Sequence, residues 1–241
     1  MQHDRHTSPE TAERAVGAPR LRPDLPPLPP RMRALPVDAR GYPVPWFVAW
    51  FDGKPDFRVI RPSGAPLAIK RNTCWLCGQP LGVRKVFCIG PMCVLNRVTS
   101  EPPSHLDCAE FATQVCPFMT RPLSRRSSVP MPEDARAPVG VHLERNPGVF
   151  CLWTTRSFRP FRLDRDLPAS DGFLIRIGDP DAVAWFAEGR PATAEEISHA
   201  VDTGIAETMR RDARAGRDLI EQRARLARYL PEAVQTDTPT T

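Results

Sequence analysis

Cys74-Trp-Leu-Cys-Gly78 places two cysteines three positions apart and ends on a glycine. Two thiolates at this spacing can grip one metal ion, and the glycine lets the tight turn that follows form without steric cost. A second pair of metal-binding side chains follows in Ser104-His-Leu-Asp-Cys108, whose serine and aspartate have the spacing of a helix capping box. This spacing predicts His105 and Cys108 in the first turn of a helix, where side chains three positions apart share a face.

These two pairs make a complete donor set for one zinc ion. Three sulfurs and one imidazole nitrogen suit the tetrahedral geometry of Zn²⁺, so we predict four ligands, Cys74, Cys77, His105 and Cys108. The arrangement resembles a treble clef, a class of zinc module in which a knuckle, a hairpin and a helix follow in this order. The resemblance implies a hairpin formed by residues 87–90 and 94–98. The alternative is a set of reduced core cysteines, since cysteine is among the most buried residue types.

Three further cysteines lie in the same region, Cys88, Cys93 and Cys116. They lack an obvious fourth ligand, so we expect a structural role for them, with a second metal site as the alternative. Cys93 could also pair with His105 and displace one of the four predicted ligands. The remaining cysteine, Cys151, is expected in the core of a strand.

The composition indicates the compartment. The chain has seven cysteines but no run of about 18 apolar residues that would suggest a membrane span. Residues 1–30 contain no apolar core of the kind that a secretory signal requires. Cysteines that cluster in a chain without an export signal more often bind metal than form disulfides. We therefore expect a cytoplasmic protein with no membrane partner.

Changes in composition suggest five segments. Ten of the 29 prolines fall in the first 45 residues, which predicts a disordered arm over residues 1–40, because proline removes backbone donors and the arm has little apolar surface to bury. Residues 41–117 are expected to form a hairpin and the zinc module, and residues 118–140 a linker or long loop. Strands and C-terminal helices are expected over residues 141–230, and a disordered tail over residues 231–241.

The predicted elements place the chain in the α+β class, with short antiparallel hairpins. Residues 46–51 and 57–60 are predicted to form a hairpin with a five-residue loop. Residues 67–70 are expected to add a third strand. A second pair of strands is predicted at residues 149–155 and 172–177.

The C-terminal third has helical periodicity. A short helix is expected from Asp179 to Glu188, because proline is tolerated in the first helical turn. Thr193-Ala-Glu-Glu196 matches a capping box, which predicts the start of a longer helix. Apolar residues recur on one face of this helix and of the segment behind it: Ile197, Val201, Ile205, Met209, Leu219, Leu226 and Leu230.

We predict no catalytic residue. A site with four protein ligands is closed, whereas a catalytic zinc keeps one position open for water or substrate. A metal-dependent nuclease, in which the zinc module is only structural, is the alternative. A thiol enzyme built on Cys88 or Cys93 with His105 would lack a third group to orient the base. Three polar residues at alternating positions are expected to line a solvated strand edge: His142, Glu144 and Asn146.

Charge gives a weaker indication of a partner. The net charge is +5, and all but three of the 33 basic residues are arginine. Four arginines of the C-terminal helices are candidates for contact with nucleic-acid phosphates: Arg210, Arg214, Arg217 and Arg228. The alternative is a solvated helix with internal ion pairs. The predicted function is that of a zinc-stabilised binding or adaptor protein with a nucleic-acid or protein partner and no small-molecule substrate.

Several stretches are similar to an uncharacterised group of bacterial and phage-borne proteins: residues 40–53, 74–78, 89–97, 101–108 and 184–190, with the helix after Thr193. The resemblance covers most of the chain behind the arm. It implies a role linked to phages or mobile elements, and it implies no mechanism.

Overall fold

The computed structural model describes residues 20–130, 135, 145–162, 173–225 and 227–230. Its strands are β1 Val48–Phe51, β2 Lys54–Ile60, β3 Lys85–Ile89, β4 Val98–Thr99, β5 Phe150–Thr155, β6 Phe158–Arg162, β7 Phe173–Ile177, β8 Pro180–Ala187 and β9 Arg190–Pro191. Its helices are α1 Gly64–Arg71, α2 Pro91–Asn96, α3 Leu106–Val115, α4 Pro117–Thr120, α5 Ala194–Arg211 and α6 Ala213–Arg225. This mixture of helices and antiparallel sheets confirms the α+β class.

The strands form three antiparallel sheets. Strands β1 and β2 make a hairpin, the order β3-β5-β8-β9 makes a four-stranded sheet, and the order β4-β7-β6 makes a three-stranded sheet. Strand β5 lies in the middle of the larger sheet, and none of its six residues is exposed. A strand that is covered on both faces is expected to be apolar throughout, as Phe150-Cys-Leu-Trp153 is.

The main core is built from both halves of the chain. It joins Phe87 of β3 and Leu95 of α2 to Trp153 of β5, Ile175 of β7 and Val201 of α5. The indole Nε1 of Trp153 donates to the carbonyl oxygen of Gly178 at 2.9 Å, so this fully buried ring also satisfies its one polar atom. The two segments that the sequence separates by a linker therefore share both larger sheets and one core.

Residues 20–45, the described part of the proline-rich segment, pack onto the rest of the protein. A 3-10 turn at Pro30–Met32 places the side chain of Met32 among the predicted ligand cysteines, and only 2% of Met32 is exposed. The buried carboxylate of Asp38 accepts hydrogen bonds from the backbone N–H groups of Arg40 and Tyr42, both at 2.9 Å. Residues 20–40 thus differ from the predicted disordered arm, because their few apolar side chains pack onto the metal module. Residues 1–19 and 231–241 lie outside the described residues.

The first hairpin is confirmed, but its predicted five-residue loop is wrong. The turn is Asp52-Gly53, with φ of 47° and 72°, and strand β2 begins directly after it. Two central residues with positive φ make the type of turn whose twist matches that of the flanking strands.

The predicted third strand at residues 67–70 is also wrong, since these residues belong to helix α1. One side of α1 packs through the small side chains of Ala65 and Ala68 against Trp75. Trp75 belongs to residues 74–78, called the knuckle below. A strand at this position would lack that contact.

The hairpin implied by the treble-clef resemblance does not form. Residues 85–99 make a strand, a helix and a short strand, because Pro91 after Gly90 opens α2 in the middle of the segment. Strand β3 pairs with β5, and β4 pairs with β7. The knuckle and the following helix are present, but strands from the second half of the chain complete the sheets between them.

The second predicted strand pair is correct in its strands and wrong in its pairing. Strand β5 pairs with β3 and β8, whereas β7 pairs with β6 and β4. The helix predicted from Asp179 to Glu188 is wrong, because this segment is strand β8, which pairs along β5 with Trp185 opposite Cys151. Tertiary pairing overrides the local helix signals here.

The C-terminal helices are confirmed. The hydroxyl of Thr193 accepts from the N–H of Glu196 at 3.2 Å, and the carboxylate of Glu196 accepts from the N–H of Thr193 at 2.8 Å, so the capping box opens α5 as predicted. The predicted stripe lies in the main core or packs against it, with Ile197, Val201, Ile205, Leu219 and Leu230 buried and Met209 partly buried. Leu226 lies outside the described residues. Across the described part of the chain, no helix combines the length and the apolarity needed to cross a bilayer.

Candidate metal centre

The knuckle is a tight turn held by its own backbone. The N–H of Gly78 donates to the carbonyl oxygen of Cys74 at 2.9 Å, and the N–H of Cys74 donates to that of Gln79 at 2.8 Å. Gly78 has φ of 73°, in the left-handed region that favours glycine. A Cβ atom here would also lie 2.5 Å from Cδ1 of Trp46. The residue after the knuckle is therefore fixed as glycine by both backbone conformation and packing.

The second pair of side chains lies at the start of helix α3. His105 is the N-cap residue, with extended φ and ψ of −70° and 155°, and Cys108 is the third helical residue. The predicted capping box does not form, because the carboxylate of Asp107 has other partners. It accepts hydrogen bonds from the backbone N–H of Cys108 at 3.0 Å and from the guanidinium of Arg31 at 2.9 Å. The two predicted ligands nevertheless face the knuckle from the first turn, as expected.

The backbone joins the knuckle to the beginning of α3. The N–H of Trp75 donates to the carbonyl oxygen of Pro103 at 3.0 Å, and Ser104 exchanges two backbone hydrogen bonds with Val86 of β3. Strand β3 and the knuckle therefore hold the residues just before His105 from two directions. These backbone hydrogen bonds position the second ligand pair independently of any metal–ligand bond.

All four predicted ligands come together. Their ligand atoms lie within 4.8 Å of one another. The distance from Nδ1 of His105 to Sγ is 3.4 Å for Cys77 and 3.9 Å for Cys108. A tetrahedral zinc with ordinary bond lengths would hold a sulfur and a nitrogen roughly 3.5 Å apart. The spacing therefore fits a single metal ion bound by all four side chains.

The imidazole of His105 is oriented by the knuckle. Its Nε2 lies 3.0 Å from the carbonyl oxygen of Pro80. A carbonyl oxygen can only accept, so Nε2 carries the proton and the lone pair of Nδ1 faces the three sulfurs. Metal-binding histidines typically donate their other nitrogen to a carbonyl or carboxylate in this way, which fixes the tautomer and the ring plane.

The sulfurs are buried, and the pKa values of Cys74 and Cys108 are shifted in opposite directions. Cys74 and Cys108 are fully buried, and Cys77 is 8% exposed. Hydrogen bonds from the thiols of Cys108 and Cys77 hold the pKa of Cys74 well below its ordinary value, and the N–H groups of Cys77 and His105 both point at its sulfur from 3.4 Å. Bonding to Cys74 and Cys77 correspondingly raises the pKa of Cys108. Three thiols this close cannot all ionise without a cation between them, and a divalent ion would supply that charge.

An apolar shell surrounds the centre. The cysteines Cys74, Cys77 and Cys108 pack with buried side chains from four parts of the chain: Met32, Leu76, Leu81, Phe111 and Val115. Behind the knuckle, the ring of Trp75 stacks on Phe47 at 4.7 Å and meets Trp46 edge-on at 6.3 Å. The knuckle, the arm and α3 all contribute side chains to this shell.

The other cysteines do not join this cluster. Among the described residues, Cys74, Cys77, His105 and Cys108 are the one group of three or more candidate ligands at metal-binding distances. His105 therefore does not pair with Cys93 in place of one of them. Burial raises the pKa of Cys88, and it raises the pKa of Cys93 to about 12. Protonated thiols of this kind favour the structural role expected for them.

The remaining two cysteines are also accounted for. Cys151 is fully buried in β5, as predicted, and burial raises the pKa of its thiol as well. Cys116 follows the last residue of α3, and its N–H donates to the carbonyl oxygen of Ala112 at 2.9 Å. Burial raises the pKa of Cys116 too.

The predicted polar strand edge is only partly within the described residues. His142 and Glu144 lie outside them. Asn146 is 6% exposed, so it is not at a solvated edge. Its amide nitrogen donates to the carbonyl oxygens of Phe118, Met119 and Arg121 at 2.7, 3.2 and 3.0 Å. Asn146 thus satisfies the carbonyl groups at the end of α4 and fixes the start of β5 against it.

The arginines predicted to contact nucleic acid are on the surface. Arg210, Arg214, Arg217 and Arg228 are exposed, and the guanidinium of Arg228 lies over the ring of Tyr229 at 4.6 Å. Around them, Arg223 pairs with Asp202 at 2.7 Å, and Arg225 pairs with Glu221 at 3.5 Å. The helices therefore carry the internal ion pairs that the alternative interpretation expects, and contact with nucleic acid stays a prediction.

Three contributors to the centre were not foreseen from the sequence. The carbonyl of Pro80 orients His105, the side chain of Met32 covers the sulfurs, and Arg31 bridges to Asp107. The carbonyl and the methionine have no local sequence signal, because their role depends on where distant segments pack.

Comparison with known proteins finds no matching family model, no matching curated protein and no matching solved structure.

Proposed function

We propose that Cys74, Cys77, His105 and Cys108 hold one Zn²⁺ as a closed structural site, and that the protein is a zinc-stabilised binding protein. The proposal depends on one observation above all, the four ligand atoms that lie within 4.8 Å of one another. Soft thiolates with one imidazole suit zinc, and tetrahedral sites of this composition are characteristic of structural zinc. Four protein ligands leave no coordination position for a water or a substrate.

The zinc would join three separate parts of the chain. The knuckle supplies two ligands, the beginning of α3 supplies two, and the proline-rich segment packs over them through Met32. Such sites rarely exist in the unfolded chain, so their metal affinity, about 10 to 16 kcal/mol in small zinc modules, becomes folding free energy. The role of the ion is then to hold a surface in shape for a partner, either nucleic acid or protein. A reducing, cytoplasmic setting would keep the free thiols available to the metal.

Metal content tests this proposal. Protein purified without added metal should contain about one zinc per chain. His105→Ala and Cys77→Ser should each lose the metal and the thermal unfolding transition that depends on it. The matched controls are His199→Ala and Cys116→Ser, which alter a histidine and a cysteine outside the cluster and should retain the metal. No zinc in the native protein, or two per chain, would overturn the four-ligand site.

Cobalt substitution tests the coordination. Co²⁺ bound by three thiolates and one imidazole should give the intense visible bands of a tetrahedral sulfur-rich site, together with thiolate-to-metal charge transfer in the near ultraviolet. Weak bands of a six-coordinate ion would show an open site and would favour the alternative, a metal-dependent enzyme. The nuclease alternative itself predicts cleavage of DNA or RNA. This activity should copurify with the protein and should be lost on mutation of a specific residue.

A further inference from the structure

The positive charge of the chain is concentrated in one segment. Residues 20–85 contain twelve basic and four acidic residues, an excess of eight positive charges, whereas the whole chain has a net charge of only +5. The C-terminal helical region, residues 194–230, contains seven basic and seven acidic residues and is neutral. An attraction for a polyanion therefore belongs to the segment that surrounds the metal centre and not to the C-terminal helices.

Most of this charge is not neutralised locally. Three of the acidic residues in the segment are paired with arginine: Asp24 with Arg22, Asp38 with Arg40 and Asp56 with Arg58, at 2.6, 2.8 and 2.6 Å. Eight basic side chains of the segment have no carboxylate partner among the described residues, and one of them, Lys85, donates to the carbonyl oxygen of Gly82 instead. The other seven are Arg20, Arg33, Lys54, Arg61, Lys70, Arg71 and Arg84. Cations without partners are available to phosphate groups.

Aromatic rings lie against three arginines of the segment, of which Arg61 has no carboxylate partner and Arg22 and Arg40 each have one. The guanidinium of Arg40 lies 5.5 Å from the ring centre of Tyr42 and 5.2 Å from that of Phe57. Arg22 lies 5.1 Å from Tyr42, and Arg61 lies 4.7 Å from the ring of Trp46. Such contacts hold a guanidinium plane in place, so less side-chain entropy is lost when it binds an anion or a base.

The adjoining hairpin leaves two rings partly exposed to solvent, and Arg40 lies over one of them, Phe57. Trp50 is 44% exposed and Phe57 is 36% exposed. Trp50 pairs across the hairpin with Pro55, two residues before Phe57, and Lys54 lies at the same end. Exposed aromatic rings among cations form the platform on which proteins stack the bases of single strands, because every base has a flat apolar face.

We propose that this surface, the hairpin β1–β2 with the arginines around it, binds single-stranded nucleic acid. The proposal rests on the proposed function and deepens it by naming the partner and the surface. A single strand offers both features that match the surface, a phosphate backbone for the unpaired cations and unstacked bases for Trp50 and Phe57. A duplex offers the phosphates but buries its base faces.

Binding is measured by fluorescence anisotropy on the zinc-loaded full chain, with a labelled 20-nucleotide single-stranded DNA, the RNA of the same sequence and the corresponding duplex. We expect binding to at least one single strand to be at least 10-fold tighter than to the duplex. With about five phosphate contacts, raising the salt from 50 to 200 mM should weaken single-strand binding roughly 100-fold. Equal or tighter binding to the duplex, or no binding at 50 mM salt, would overturn the proposal.

Variants then locate the surface. Trp50→Ala and the double variant Lys54→Gln with Arg61→Gln should each weaken single-strand binding about 10-fold. The controls are Ile220→Ala, which removes an apolar side chain that is 43% exposed, and Arg159→Gln, which removes an exposed charge elsewhere. Both should bind as the native protein does. If Arg214→Gln with Arg217→Gln abolishes binding while the hairpin variants retain it, the surface assigned here is wrong.

Zinc content, measured in every variant, separates the two proposals. A hairpin variant that keeps one zinc per chain and loses binding supports both. Full zinc with no single-strand binding by the native protein contradicts the surface and leaves the structural zinc site intact. A native protein without zinc contradicts the proposed function before binding is tested.

Discussion

The Nε2 atom of His105 lies 3.0 Å from the carbonyl oxygen of Pro80, on the side of the ring away from the three cysteine sulfurs. Pro80 follows the knuckle that supplies Cys74 and Cys77. The knuckle thus provides two ligands directly and also orients a third ligand that belongs to helix α3. The two halves of the candidate metal centre are therefore connected by a hydrogen bond, in addition to any ion that the four ligands would share.

This contact predicts the tautomer of His105. With zinc bound, long-range ¹H–¹⁵N NMR on histidine-labelled protein should show a protonated Nε2 and a metal-bound Nδ1 for one histidine, and His105→Ala should remove that signal. The exposed His199 serves as the internal control, since it lies outside the cluster. A metal-bound Nε2 would contradict the ring orientation described here.

Gly78→Ala should destabilise the protein more than the same change in the hairpin turn. Gly78 and Gly53 have nearly the same φ, 73° and 72°. A Cβ atom at Gly53 meets nothing within 4 Å, whereas one at Gly78 would lie 2.5 Å from the ring of Trp46. Placing a residue with a Cβ atom in the left-handed region costs about 1 kcal/mol by itself, so Gly53→Ala should lower the free energy of unfolding by about that much. Gly78→Ala should lower it by at least about 2 kcal/mol, because the steric conflict with Trp46 adds to the backbone cost. Urea unfolding of the zinc-loaded proteins measures both free-energy changes. Equal changes would show that the ring of Trp46 moves aside without an energetic cost.

Asn146→Ala should cost about 2 to 3 kcal/mol of unfolding free energy. The change leaves three carbonyl oxygens at the end of α4 without their donor and frees the N–H of Gly148, which now donates to the side-chain oxygen of Asn146 at 2.7 Å. Asn146→Asp has nearly the same shape but replaces the donor by an acceptor, so it should be at least as harmful. An aspartate variant as stable as the native protein at pH 7 would contradict the donor role.

The capping box of α5 should make stability depend on acid pH. The carboxylate of Glu196 accepts from Arg190 and from the N–H of Thr193, which lowers its pKa from 4.5 to about 2. A lowered pKa in the folded protein means that the contribution is complete above about 4.5 and is lost as the pH falls towards about 2. Because both partners are partly exposed, we expect about 0.5 to 1 kcal/mol at pH 7.

Urea unfolding of the native protein and of Glu196→Gln measures this difference. The difference in unfolding free energy between the two should decrease as the pH is lowered, because only the native protein loses an ionised carboxylate. Arg190→Gln removes the main cause of the pKa shift, so its difference in unfolding free energy from the native protein should decrease in the same way. A gap that grows at low pH would mean that the carboxylate is stabilised in its protonated form.

Local spacing was sufficient for the parts that form within a few residues. The knuckle from Cys74 to Gly78 and the capping box at Thr193 depend on contacts between near neighbours, so their sequence patterns predict them correctly. The ligand set followed from the same spacing, since His105 and Cys108 needed only the first turn of α3 to share a face.

Distant pairing decided the elements that were predicted wrongly. Residues 67–69 form an apolar run of only three, which periodicity alone cannot assign to strand or helix. The contact of Ala68 with Trp75 favours the helix. Residues 180–187 carry both a helical start signal and strand-forming side chains, and β5, some 30 residues earlier, decides for a strand. The carbonyl of Pro80 could not be predicted, because every residue has a carbonyl and only the fold selects which one meets His105.

The order of the strands has a consequence for synthesis on the ribosome. All four candidate metal ligands and the segment that covers them have been made once residue 115 leaves the exit tunnel, so the proposed ion could bind to the nascent chain early. Strands β3 and β4, however, find their partners only in β5 and β7, more than 50 residues later. Between these two events the nascent chain could already bind the proposed ion, but it would expose unpaired strand edges, which favour association with other chains. A chain cut after residue 117 would remain in that state.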